Sequence, residues 1–279
     1  MKGCEKELLT IGGKMSITEI KIKSIQDVEQ IVLETQYDDK LMHYRSPALF
    51  RGLPNDTYAL QTSLYRNCKE KSVELETSIL RNFYKYALPI ANHDSCWERM
   101  IVGQHHGLPT RLMDWSYSPL IALHFAPSGE DFTAMEAHDA VVWKIDIDEL
   151  NELLPENYKE LLDNEHAKLF TTEMLEKVAK NTNEYDEAMR SASMVLLEPF
   201  SSDQRIINQY SYFSILPREI VNLEDFFEKN TCNTVKYILD KSIKWHIRDM
   251  LDQCNINERT VYPGLDGIAM WLKRHYYVR

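Results

Sequence analysis

The chain has 279 residues, 44% hydrophobic and 27% charged, enough to bury a sizeable core in one large domain or two small ones. A formal charge of −11 argues against a protein that coats nucleic acid through a general electrostatic field, although residues 99–111 are net positive. No apolar run reaches the roughly 18–20 residues that span a bilayer, and residues 1–14 hold no signal-like apolar stretch, so a cytoplasmic chain without a membrane partner is expected.

Taken in order, Ile17, Ile20, Ile22 and Ile25 alternate loosely as in a strand, and residues 27–33 read as a short helix. Residues 1–40 are taken as an extension to a domain over 41–279. Residues 48–52 predict a strand that ends in a glycine and a Pro-Asn-Asp turn. Residues 74–88 predict an amphipathic helix with Leu75, Ile79, Phe83 and Tyr86 on its apolar face. Another helix is expected over 97–106, broken by Gly107 and Pro109. Ser118 and Pro119 mark a third start, serine at the cap and proline in the first turn, running on through Phe125. Residues 140–145 form the best buried strand of the chain. An acidic stretch over about 147–192 reads as an inserted helical region covering one side of the core. Residues 194–197 and 212–216 read as strands. Residues 223–230, 235–254 and 264–276 read as closing helices within a C-terminal segment of about 221–279. The fold class expected is α+β, with a small mixed central sheet flanked by helices and built from segments near 48–52, 110–114, 140–145, 194–198 and 212–216.

The densest concentration of unusual chemistry runs from Gln104 to Trp115. One reading is a turn in which a histidine donates to a carbonyl and Arg111 pairs with Asp114. The other is a site in which Arg51, His105, Arg111 and Asp114 converge on one cleft. Arg51 stands between an aromatic residue and a glycine, and its planar fork suits a phosphate or carboxylate. A buried ion pair with Glu74 or Glu76 explains it equally well. Adjacent histidines rarely share one metal ion, and the cysteines (Cys4, Cys68, Cys96, Cys232 and Cys254) form no C-x-x-C pair, so reduced thiols and no metal are expected. No Gly-x-Ser-x-Gly elbow, phosphate loop or Gly-x-Gly-x-x-Gly fingerprint is present.

Phe50-Arg51-Gly52, then Leu64, Arg66 and Glu74, then the segment from Gln104 to Trp115, then Pro119 to Ala126, together resemble the FRG domain family. Arg205 and Gln209 before Phe213, and the ending Tyr262-Pro263-Gly264-Leu265-Asp266-Gly267, are similar to its later and weaker motifs. Met113, Tyr117 and the pair Tyr210-Ser211 depart from the pattern. A looser similarity to ADP-ribosyltransferases implies an ADP-ribosyltransferase-like core, with NAD as substrate. In that comparison Arg51 and Gly52 hold the NAD phosphates, with Arg111 and Ser116 beside them. Trp115, Tyr210 or Tyr212 stack on nicotinamide. Glu198 or Gln209, with His105 and Asp114, supply the catalytic groups, although no Glu-x-Glu or Gln-x-Glu pair is present. The implied activity moves ADP-ribose from NAD to a nucleic acid or protein acceptor, with residues 99–111 and the 15 tyrosines tolerating a single strand. The implied setting is bacterial defence or a toxin–antitoxin system, with an inhibitory protein partner. The competing class is a non-catalytic module that recognises a nucleotide or phosphate, and a metal-free phosphoesterase or nuclease using the histidines is a third.

Overall fold

The computed structural model describes residues 16–33, 35–39, 42–87, 95–129, 131–200 and 204–278. Seven strands form one sheet in the order β1 (Thr18–Ile22), β9 (Val235–Leu239), β6 (Ala140–Asp146), β4 (Ala48–Leu53), β5 (Leu112–Ser116), β8 (Ser211–Ile215) and β7 (Val195–Leu197). A separate antiparallel pair joins β2 (Gln36–Asp38) to β3 (His43–Arg45). In the main sheet β1 and β9 run parallel and the other neighbours antiparallel. All five expected segments lie in this sheet, with β9 and β1 added beyond β6.

Helices α1 (Glu29–Val32), α2 (Ser63–Cys68), α3 (Ser72–Ala87), α4 (Cys96–His105) and α5 (Pro119–Phe125) come first. The stretch between β6 and β7 holds α6 (Ile147–Glu152), α7 (Glu156–Asn164), α8 (Thr172–Val178) and α9 (Thr182–Met189). It is followed by α10 (Gln204–Gln209), α11 (Leu223–Asn230), α12 (Lys244–Gln253), α13 (Glu258–Val261) and α14 (Leu265–His275). Among the described residues no helix is long and apolar enough to cross a membrane.

Two expectations fail for physical reasons. Residues 235–254 are not one helix: Val235, Tyr237 and Leu239 have a period of two, and pairing with β1 on one side and β6 on the other fixes them as a strand. Helix α3 forms, but Leu75 and Tyr86 on its expected apolar face are exposed, while Glu76 and Tyr84 are buried. The cause is electrostatic, because Arg111 draws the Glu76 carboxylate inward. Leu88, assigned to that helix from the sequence, and Cys4 lie outside the described residues.

Strand alternation sorts the core into layers. On one face Leu49, Leu53, Trp115, Val141 and Trp143 pack with Phe226 and Phe227 of α11. The opposite face is covered in two halves. Ala48, Phe50, Val142 and Tyr237 lie under Ala122, Leu123 and Ile247 of α5 and α12. Leu112, Phe213, Ile215 and Val195 lie under Trp97, Tyr158, Leu175 and Tyr185 of α4, α7, α8 and α9. Between these halves the sheet is pulled open. Strands β4 and β5 are in register only where Phe50 faces Ser116, whereas β4 and β6 pair from Ala48 opposite Asp146 to Leu53 opposite Val141. Gly52 lets α5 sit directly on this seam, since a Cβ there would overlap the Ala122 carbonyl oxygen and fall 2.7 Å from the Ala126 nitrogen.

Candidate functional site

The segment after Gln104 folds as a helix end followed by a strand. His105 closes α4, His106 is its C-cap, and Gly107 adopts a left-handed φ of 81°. Gly107 N donates to the Gln104 carbonyl (3.0 Å) and Leu108 N to the Gly103 carbonyl (2.8 Å), with the Leu108 side chain covering Gly103. This is a Schellman closure, and Pro109 prevents the helix from continuing. The closure fixes Gln104 in the last turn of α4, beside β5. Thr110 Oγ1 donates to Gln104 Oε1 (2.6 Å) and accepts from Leu112 N (3.1 Å). With its oxygen so occupied, the Gln104 carboxamide presents Nε2, which donates to Asp114 Oδ2 (2.9 Å).

At the open seam lies a cleft of about 240 Å³, lined by Phe50, Arg51, Gly52, Gln104, Asp114, Ser116, Phe125, Arg205 and Gln209 among others. Arg51 bridges the gap where ladder bonds are missing: its Nη1 donates to the Asp114 carbonyl (2.5 Å) and lies 3.6 Å from Asp114 Oδ2. The Arg51 side chain is 17% exposed and that of Asp114 54%. Burial pulls the Arg51 pKa down from its ordinary value, and the Asp114 charge opposes that pull. Its Nε is buried without a hydrogen-bond partner. The far wall is α10, where Arg205 and Gln209 stand four residues apart and so share a face. Ser116 Oγ donates to the Gln209 carbonyl (2.7 Å), tying that wall to β5.

Residues 46–133 match the FRG domain family model. The chain carries an FRG domain. No curated protein and no solved structure matches the chain. The matched stretch runs from the start of β4 past α5, so it supplies Arg51, Gln104, Asp114, Ser116 and Phe125. Arg205 and Gln209 come from the chain that follows it.

Of the residues given site roles from the sequence, Arg51, Gly52, Asp114, Trp115, Ser116 and Gln209 line the cleft. The others sit elsewhere. Arg111 of the FRG domain is 5% exposed, with Nε and Nη2 donating to the two oxygens of Glu76 (2.7 and 2.5 Å) and Nη1 to Asp186 (2.6 Å). It therefore neither reaches the cleft nor pairs with Asp114, and the Glu76 partner considered for Arg51 belongs to it instead. The Trp115 side chain points to the face opposite Asp114, is 2% exposed, and donates from Nε1 to Ser214 Oγ (2.9 Å), so it cannot stack on a ligand. Tyr212 packs against the same core. Tyr210 is exposed at a φ of 47° and Glu198 is exposed beyond β7, and neither lines the cleft. His105 is half-buried with its ring edge-on to His106, also away from the cleft. The positive stretch 99–111 is not an open basic surface: Arg99 lies 4.1 Å over the Tyr84 ring and Arg111 is buried. Among the described residues no group of three His, Cys, Asp or Glu side chains is placed to hold a metal.

Other lining residues, Gln104, Phe125 and Arg205 among them, were not assigned roles from the sequence. Arg205 had a legible signal, its four-residue spacing from Gln209. Gln104 had none, because its role depends on a helix cap meeting a strand.

Proposed function

We propose that the cleft binds a phosphate-bearing nucleotide and that the chain transfers ADP-ribose from NAD to a macromolecule, nucleic acid or protein. The supporting observation is that Arg51 and Arg205, from distant parts of the chain, line one cleft together with a single acidic residue among the described residues, Asp114. Guanidinium forks suit a pyrophosphate, each charge-assisted hydrogen bond contributing about 1.5–3 kcal/mol. Phe125 offers an aromatic face to a base, and the carboxamides of Gln104 and Gln209 offer donors and acceptors. A cleft of about 240 Å³ has room for part of a dinucleotide, and on this reading the rest would extend past its open mouth. In the transfer, the bond between C1′ and the nicotinamide nitrogen breaks, with its electron pair leaving on nicotinamide. An acceptor oxygen or nitrogen then bonds C1′ and releases its proton to Asp114 or water. The Asp114 carboxylate stabilises the oxocarbenium-like transition state, a role Glu198 cannot take from beyond β7. In a bacterial cell this activity would need an inhibitory protein partner to hold it silent.

A second reading, recognition of a nucleotide without chemistry, is favoured by one observation: Asp114, the carboxylate that lines the cleft among the described residues, is already engaged by Gln104 and Arg51. Incubation of purified protein with adenylate-labelled NAD and cell lysate separates them. Label moved to macromolecules supports transfer. Binding of ADP-ribose without label transfer leaves recognition, and neither result overturns the cleft assignment.

A further inference from the structure

Tyr262 lies behind the cleft, outside the FRG match, and touches both of its walls. The Arg205 guanidinium sits 5.3 Å from its ring centroid, and the Phe125 ring meets it edge-on at 6.4 Å. The wall carrying Arg205 and Gln209 is docked on α13, because Asn208 Nδ2 donates to the Thr260 carbonyl (2.7 Å) and Gln209 Nε2 to the Val261 carbonyl (3.3 Å). A single turn such as α13 cannot sustain itself, so its position must come from tertiary contacts. Those contacts are buried charges. Glu258, 3% exposed, accepts from Arg248 Nη2 (2.5 Å) and from Arg274 Nε (2.8 Å) and Nη2 (2.9 Å). Arg274 also donates from both Nη atoms to Asp252 (2.8 and 2.7 Å). The Tyr-Pro-Gly-Leu-Asp-Gly segment completes the clamp. Gly264 turns at a φ of 87°, and a Cβ on Gly267 would overlap the Tyr262 carbonyl oxygen and lie 2.6 Å from that of Glu258.

We infer that Tyr262 is a positioning residue of the cleft: its ring, held by the Glu258–Arg248–Arg274 cluster, sets where α10 presents Arg205 and Gln209 to a ligand that Arg51 also meets. The ligand arm of this inference rests on the nucleotide reading above, whereas the placement of α10 does not. The test therefore has two readouts on the full chain. Amide hydrogen exchange in α10 of the free protein should speed up about tenfold in Tyr262→Leu, with β4 and β5 unchanged, as expected for a local opening. Binding of ADP-ribose, the probe used here, should weaken about fivefold with the loss of the ring contact. Tyr262→Phe keeps the ring and should restore both. Asn208→Ala removes a different anchor, leaves the core intact, and should also speed exchange in α10. The inference is overturned if exchange in α10 stays at the wild-type rate in Tyr262→Leu, whatever Asn208→Ala does, or if Tyr262→Phe behaves like Tyr262→Leu. A wild-type chain that ignores ADP-ribose while the exchange pattern follows expectation sinks the nucleotide reading and leaves the positioning role standing.

Discussion

Arg111 directly precedes β5, and Arg51 lies on the neighbouring β4; each sits beside acidic side chains, yet only Arg51 lines the seam cleft, whereas Arg111 lies beside a separate small pocket of about 30 Å³. The difference is in how their donors are used. Arg111 commits Nε, Nη1 and twice Nη2 to Glu76 and Asp186. Burial alone would pull its pKa down, but the two carboxylates outweigh that and leave it raised. Arg51 commits Nη1 to a backbone carbonyl and keeps a loose 3.6 Å approach to one carboxylate oxygen. Of the five donor hydrogens a guanidinium carries, Arg51 thus has most still to offer. Arg111 ties α3 and α9 to the sheet, and Arg51 keeps donors uncommitted beside the cleft.

The largest effect should come from Arg111→Ala, which strands two buried carboxylates. Urea denaturation should show a loss of about 3–5 kcal/mol, or no folded protein at all. A loss below about 1 kcal/mol would break the comparison, because Arg111 would then be no more structural than a surface residue. Next comes Arg51→Ala. Its stability should change little, while ADP-ribose affinity measured by calorimetry should fall on the order of 10- to 100-fold. Equal stability losses in the two variants would erase the distinction between them.

A third cationic cluster extends the comparison through pH. His124 is 1% exposed, and its Nδ1 lies 3.2 Å from Arg248 Nη1, which can only donate, so the imidazole must be neutral. Burial first, then the Arg248 and Arg274 charges, hold its pKa well below the ordinary histidine value of 6.5. The unfolded chain takes up this proton near pH 6.5 and the folded chain does not. Stability is therefore full above that pH and is lost as pH falls below it, by up to about 1.4 kcal/mol per unit. Urea midpoints at pH 7.5 and 5.5 measure this slope, and His124→Gln should flatten it. An unchanged slope in that variant assigns the pH dependence to other groups.

Much of the fold was legible because alternation and helix periodicity are local signals. Strand β6 and helix α5 follow from their own residues. Strand β9 did not, because Val235 to Leu239 carries apolar residues compatible with either period, and pairing on both sides decided it. At the site, Arg51, Asp114 and Gln209 could be picked out as chemistry-bearing residues beside turn-formers. Which arginine faced the cleft could not be read, since Glu76 and Asp186 stand 35 and 75 positions from Arg111. Nor could the fate of Trp115, which follows from strand parity once Asp114 is known to face the seam.

The smallest effect concerns how Asp114 is kept from closing on Arg51. Gln104 Nε2 holds Asp114 Oδ2 at 2.9 Å, while Arg51 Nη1 is 3.6 Å from the same oxygen. In Gln104→Leu that restraint is gone, and the carboxylate is free to swing onto the guanidinium as an internal competitor for phosphate. Buried Thr110 also loses the acceptor for its hydroxyl, so a stability loss of about 1 kcal/mol is expected. ADP-ribose binding should weaken about threefold, the scale of one exposed ion pair. Adding Asp114→Asn to Gln104→Leu removes the competing charge and should recover the affinity, a coupling that a double-mutant cycle reads directly. If the double variant binds no better than Gln104→Leu alone, Gln104 does not act by keeping Asp114 off Arg51, and the contrast between the two arginines rests on burial alone.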